Sequence, residues 1–236
     1  MAEWAVKRFW TKAGVEETEN GFKILLDNRS IKTPAKAQVI VPTYALAERI
    51  AEEWNTQGKK VDPSTMPYMR MTNSAIDKVR TQFDEVVEHI ASYAETDHLC
   101  YRADGPEGLV NRQNEAWDPL LDWAAKCLNA RLNKGVGILY VDQPSESLSN
   151  LRDRIRSMSP FRLAAVHDLI TISGSFVAAL AGIYGHKTAE DIWEICRIDE
   201  IWHIEKWGPD DLEEAASAQK RDDFLLAANY YSLLQA

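Results

Sequence analysis

The stretch Thr188–Gly208 constrains the fold more than any other part of the chain. Thr188 with Asp191 three residues on is a helix start, Gly208-Pro209 is a stop, and the spacing between them predicts one helix. At about 100° per residue, Ile192, Trp193, Ile195, Cys196, Ile198, Trp202, Ile204 and Trp207 cover an arc of about 240°, far wider than the stripe of an ordinary surface helix. Such a helix is buried almost all round or shows an apolar face to a partner. The same wheel places Asp199, Glu200 and His203 inside the apolar arc, and Glu194, Arg197 and Glu205 outside it. An unpaired buried carboxylate costs several kcal/mol or changes its protonation state, so acids among tryptophans require a donor or a basic partner.

Two regions of different character precede this helix. Strand signals are confined to residues 7–41: Arg8–Val15 and Gly21–Leu26 flank the turn Asn20-Gly21, Asp27-Asn28 is a second turn, and Ile31–Thr33 and Gln38–Val41 follow closely. A helix from Pro42-Thr43 to Gly58 carries Leu46, Ala47, Ile50, Ala51 and Trp54 on one side. Beyond Pro63–Pro67 the pattern is helical. Ile76, Val79, Phe83, Val86, Ile90 and Tyr93 mark one amphipathic helix, and Leu109–Trp117 mark another. Asp118 caps a separate helix with Pro119 in its first turn, and Gly135–Val141 is an extended connection. Further helices carry Leu148, Leu151, Ile155 and Met158, then Phe161–Tyr184, where Ser173-Gly174-Ser175 is expected to pack rather than bend, and finally Phe224–Leu234. The expected fold is α+β. A small N-terminal antiparallel β-rich α/β domain, 1–65, is followed by a larger all-helical C-terminal domain, 66–236.

Composition narrows function mainly by exclusion. The chain has 236 residues, 27 basic against 36 acidic, and its net charge of −9 is spread without a basic stripe, which argues against nucleic acid and against stable association with an anionic membrane. The N-terminus lacks an apolar core long enough for a signal peptide and carries Glu3, and no run of 18 apolar residues occurs, so the expected location is the cytoplasm. Cys100, Cys127 and Cys196 are far apart and odd in number, which suits small reduced core residues. No phosphate loop, dinucleotide fingerprint, nucleophile elbow or His-Glu-x-x-His motif is present. Asp97, His98 and Cys100 lie close in sequence and leave a small-molecule enzyme as an alternative, although a helix end tied down by side chains explains them more simply. Asp199 and His203 have the i, i+4 spacing of a metal pair, but no second pair with ligand spacing accompanies them. Trp54, Trp117, Trp123 and Trp193 are expected in the core, whereas Trp202 and Trp207 flank the unusual acids and suit a binding face.

A longer pattern runs through the chain: Leu26-Asp27-Asn28-Arg29, Lys32-Thr33-Pro34, Leu46-Ala47, Glu53-Trp54, Gln57, Met66-Pro67, Asn73, Ala75-Ile76-Asp77, Tyr93-Ala94, Thr96-Asp97, Cys100-Tyr101-Arg102-Ala103, Gln113, Trp117-Asp118-Pro119, Asp199-Glu200 and Lys206-Trp207-Gly208. In order and spacing it resembles the assembly chaperones that handle the alpha subunit of the F-type ATP synthase. The resemblance implies no catalysis, cofactor or metal. It implies that the unassembled alpha subunit is the client, bound so that the surface later facing the beta subunit does not aggregate. It assigns the required acid to Glu200, with Asp199 beside it, and the expected client-binding residues are Glu200, Asp199, Trp202, His203 and Trp207. Asn28, His98 and His203 depart from the family's usual Gly, Leu and Gln. A monomeric bacterial member is expected, or one of the mitochondrial matrix if the chain is processed. A purely structural bundle, in which Asp199, Glu200 and His203 satisfy one another, is the remaining alternative.

Overall fold

The computed structural model describes residues 7–235. By their internal contacts these form two compact units. One holds the residues up to Phe83 with Ser159–Ala165 and those from Asn229 on, and the other holds Asp84–Met158 with Val166–Ala228. Described residues of the expected domain 1–65 all fall in the first unit, whereas those from 66 on divide between both.

In the first unit, β1 (Ala13–Thr18) and β2 (Gly21–Leu26) form a hairpin with Thr18 opposite Gly21. The turn at Asp27-Asn28 leads to β3 (Arg29–Ser30), and β4 (Ile40–Val41) pairs antiparallel with the start of β2. The first strand starts at Ala13, later than expected. Around Arg8 the backbone serves other partners: its guanidinium donates to the carbonyls of Trp10, Thr11, Asn55 and Gln57, and the Asp27 carboxylate takes the N–H groups of Thr11 and Lys12. Helix α1 (Tyr44–Asn55) is capped by the Thr43 hydroxyl and buries Leu46, Ala47, Ile50 and Ala51 against the sheet, as the spacing predicts.

Helix α2 (Pro67–Ser74) starts on a carboxylate from α1. Both oxygens of the buried Glu53 accept backbone N–H groups, from Tyr68 and Met69, each at 2.8 Å. The expected helix through Ile76 and Tyr93 is interrupted. A wider π turn at Ala75–Val79 and a short turn precede α3 (Phe83–Ala91), and the added residue per turn rotates the face, so on α3 it is Val87 and Ile90 that are buried while Val86 is half-buried; Ile76 and Val79 are buried as expected.

In the second unit the part expected to be all-helical also contains a parallel pair, β5 (Tyr101–Arg102) with β6 (Gly135–Val136). Between them runs α4 (Glu107–Cys127), a single helix with Pro119 inside it rather than two helices meeting at Asp118. Tertiary anchoring overrides the proline: Trp117, Leu120 and Ala124 are fully buried, and the Asp118 carboxylate binds Arg102 and Lys134 instead of capping a helix. Helix α5 (Ser145–Arg156) follows as expected. The run Phe161–Tyr184 is two helices, α6 (Pro160–Ser173) and α7 (Phe176–Ile183), because Gly174 takes a φ of +70° that ends the first. Ser175 caps α7, and the buried Asp97 accepts the Ser175 hydroxyl at 2.8 Å and the Val177 N–H at 2.9 Å. The expected Thr188–Gly208 helix is likewise divided, into α8 (Ala189–Cys196) and α9 (Ile198–Trp207), and α10 (Asp211–Leu233) closes the chain. Trp117 and Trp193 are buried, Trp54 and Trp123 only half-buried, and Cys127 is exposed, unlike Cys100 and Cys196.

Two outcomes follow from this packing. Ile90→Ala and Ile76→Ala each leave a cavity and cost roughly 2–5 kcal/mol in denaturant unfolding; losses under about 1 kcal/mol contradict the burial found for them. Burial pushes the Glu53 carboxyl from its ordinary value of 4.5 up to about 7, against the two N–H bonds and nearby Arg49 and Arg70, which lower it. Folding therefore takes up a proton between these values, so the Glu53 contribution is complete below pH 4.5 and is lost as pH rises through about 7. Wild type is expected to lose melting temperature between about pH 5 and pH 8 relative to Glu53→Gln; parallel pH profiles for the two refute the assignment.

Candidate functional site

The break between α8 and α9 decides what the C-terminal aromatic stretch displays. Arg197 leaves helical geometry at φ −107° and ψ 16°. In an unbroken helix the Ile195 carbonyl would accept the Asp199 N–H; here it accepts the indole N–H of buried Trp117 at 2.8 Å. The face of α8 with Ile192, Trp193 and Cys196 goes into the core, and of α9 only Ile198 does. A helical wheel drawn across the break therefore misplaces everything beyond it.

Helix α9 is held against the first half of α4 by three attachments. Gln113, itself buried, donates from Nε2 to Asp199 Oδ1 at 2.5 Å and accepts the Ala103 N–H at 2.9 Å. Arg112 makes a two-pronged pair with Glu205, at 2.9 and 3.0 Å, and holds that carboxyl below the usual carboxylate range. Third, the Trp202 ring lies against Gly108, where a Cβ would come within 2.9 Å of it, with the Arg112 guanidinium 5.1 Å and the Lys206 ammonium 4.7 Å from its centre. Neither Gly108 nor Arg112 was singled out in the sequence, and Gln113 only within the family pattern. A lone glycine and an arginine on a polar helix face give no local signal.

The five expected site residues share α9 but not one environment. Asp199 is half-buried and committed to Gln113, and Trp202 is half-buried beside Arg112 and Lys206. Glu200 is not buried within an apolar arc: its side chain is 61% exposed and accepts from Arg197 Nε at 2.5 Å. The Arg197 guanidinium in turn rests 5.1 Å from the centre of Trp193. His203 is exposed and lies against Trp207, 4.7 Å between ring centres with the rings tilted by 38°, and Trp207 is 71% exposed at the end of the helix. Beyond it Gly208, at φ 88° and ψ 166°, occupies backbone space that only glycine uses comfortably and stops α9. Asp199, Glu200 and His203 do not form the mutually satisfied cluster of the structural-bundle alternative, because each has a different partner.

The Asp97, His98 and Cys100 region has the wrong chemistry for a nucleophile and base. Asp97 is fully buried and accepts three hydrogen bonds, from the N–H groups of Leu99 and Val177 and the Ser175 hydroxyl; burial pushes its carboxyl up against them. Burial likewise pushes the Cys100 thiol far up, away from the reactive thiolate, and His98 lies 4.8 Å from the Trp117 ring. These residues tie the starts of two helical segments together. Among the described residues no group of three or more His, Cys, Asp and Glu is placed to hold a metal.

The two exposed-face tryptophans differ in what they support. Trp202→Ala removes the ring packed on Gly108 and near two cations and is expected to cost roughly 1–3 kcal/mol. Trp207→Ala removes a ring in contact with His203 and water and should cost about 0.5 kcal/mol or less. Chemical unfolding of both variants decides, and equal losses contradict the division.

Comparison with known proteins places these features in a family. Residues 7–125 match the family described as ATP12 chaperone protein. The crystal structure of Atp12 from Paracoccus denitrificans superimposes with a TM-score of 0.95 at 43% identity, covering 98% of this chain and all of that one (100%). A mutant of the same P. denitrificans protein gives a TM-score of 0.95 at 42% identity, over 99% and 100% of the two chains. The mitochondrial protein atp12 of Schizosaccharomyces pombe is 24% identical over 228 residues, 92% of this chain and 78% of that protein. With its first half matched by the family and its whole length by a solved member, this chain belongs to the ATP12 chaperone family.

Proposed function

We propose that this protein is an assembly chaperone of the F-type ATP synthase that binds the unassembled alpha subunit through the outer face of α9 and covers the surface later contacted by the beta subunit. The observation that carries this reading is the exposed aromatic end of α9, with Trp207 71% exposed on a helix whose opposite side is fastened to α4. A large apolar ring at such exposure disfavours the free state and favours a protein partner. Trp207 and His203 give apolar contact, Trp202 and Asp199 hold the helix in place and border the contact, and Glu200 receives a cationic group of the client. In the free protein Glu200 is paired with its own Arg197, so a client arginine replaces or shares an existing bond, which gives register without permanence. The protein acts without catalysis, cofactor or metal, as a monomer, in the bacterial cytoplasm or the mitochondrial matrix. Among the described residues no helix is long and apolar enough to cross a membrane, which suits a client met before assembly.

Light scattering of the isolated alpha subunit tests the reading. A stoichiometric amount of this protein is expected to suppress aggregation where other helical proteins do not, and unchanged scattering refutes it. Because Glu200 is exposed, Glu200→Lys and Glu200→Gln should change stability by about 0.5 kcal/mol or less, yet lose a contact worth roughly 1.5–3 kcal/mol to the client. Variants that melt normally and still pull down and protect the alpha subunit as wild type does would remove Glu200 from the contact.

A further inference from the structure

The segment after β6 is the reverse of an ordinary surface loop, with polar groups at its neck and apolar ones at its tip. Val136, Ile138, Leu139 and Tyr140 fall within five residues and all are exposed, Ile138 to 99% and Leu139 to 78%. Contiguous exposed apolar surface of this kind marks interaction sites on soluble proteins.

Its display is built rather than accidental. Across the neck, the Asn133 N–H donates to Gln143 Oε1 at 2.7 Å, Asn133 Nδ2 to the Asp142 carbonyl at 2.8 Å, and Gln143 Nε2 to the Asn133 carbonyl at 3.0 Å. Lys134 reaches both oxygens of Asp118, at 3.0 and 2.9 Å, while Arg102 binds the same carboxylate. The Gly137 N–H donates to the Arg102 carbonyl at 2.8 Å, and Val141 folds back so closely over Gly135 that a Cβ there would meet its methyl group. A tip fixed in this way loses little conformational freedom when it binds.

We propose that the Val136–Tyr140 loop is a second anchor for the client: an apolar knob that enters an apolar hollow on the same protein surface covered by α9. The proposal rests on the chaperone reading above. The shared occupant follows from the frame. Arg112 and Gln113 of α4 fasten α9, and Asn114 and Asp118 of the same helix fasten Arg102, and through it the loop, so both surfaces are fixed to about 9 Å of one helix. One client engaging both gains the second contact at high effective concentration. Other occupants fit less well. An anionic bilayer is repelled by the net charge of −9, and the loop alone is too small for a stable pair of chains, which needs about 800 Å² per partner.

The test uses the full chain with Ile138→Ser and Leu139→Asp combined, beside wild type and Glu200→Lys. Both loop side chains are exposed, so melting is expected to match wild type, while affinity for the isolated alpha subunit falls about tenfold or more and suppression of scattering at stoichiometric amounts is lost. A photoreactive benzoylphenylalanine in place of Leu139 is expected to crosslink to the alpha subunit. If wild type binds and protects the alpha subunit and the loop variant does so equally well, the loop proposal falls and the chaperone reading stands. If wild type itself does nothing for the alpha subunit, the chaperone reading falls and takes the loop proposal with it. Crosslinks only between two copies of this chain, or wild-type binding to phosphatidylcholine–phosphatidylserine vesicles that the loop variant loses, assign the loop to another occupant and overturn the proposal.

Discussion

The hydrogen bond from the Trp117 indole to the Ile195 carbonyl governs the arrangement of the C-terminal aromatic stretch. A buried indole N–H gains from an acceptor, and an internal helix carbonyl becomes fully available where the helix stops. Once Trp117 holds that carbonyl, α8 ends at Cys196 and the chain turns at Arg197 before α9 begins. The apolar side chains before the turn are sealed in the core, and those after it become surface. Without that turn, Glu200 and Trp207 would belong to one nearly all-buried helix with no room for a partner.

Helix α4 is the frame on which the displayed elements are mounted. Its first turns receive Trp202, Glu205 and Asp199, and its middle receives Arg102 and Lys134 on the single carboxylate of Asp118. Burial alone would raise the Asp118 carboxyl, but Lys134 and Arg102 hold it below the usual range, so it stays ionised at neutral pH as the link to the β5–β6 ribbon. A proline inside α4 is tolerated because fully buried Trp117 and Leu120 fix the helix on either side of it.

Buried and exposed acids divide the work of the chain. Asp97 and Glu53 lie inside, and each spends its oxygens on backbone N–H groups at the starts of helical segments, bonds that oppose but do not cancel the upward push of burial on both carboxyls. Glu200 lies outside with one easily exchanged partner. In the proposed complex it is this exposed acid, not the buried pair, that meets the client, while the part-exposed Asp118 and Glu205 stay committed to Arg102, Lys134 and Arg112.

The sequence by itself determined the α+β class, the hairpin at Asn20-Gly21, the amphipathic face of α1 and the family to which Asp199-Glu200 and Lys206-Trp207-Gly208 belong, because each depends on local spacing or on an order of residues that survives without coordinates. It also singled out the stretch Thr188–Gly208 as unusual, though as one helix rather than two. Only the tertiary structure decided that α8 and α9 are separate, that Pro119 sits within a helix, that Gly174 divides α6 from α7, and that Ile138 and Leu139 stand in water. The physical reason is common to these cases. Each turns on a contact between residues distant in sequence, Trp117 with Ile195, Asp118 with Arg102 and Lys134, Asp97 with Ser175 and Val177, and Gly137 with Arg102. Periodicity assumes that a helix keeps its own hydrogen bonds, and it fails where a distant side chain takes one of them.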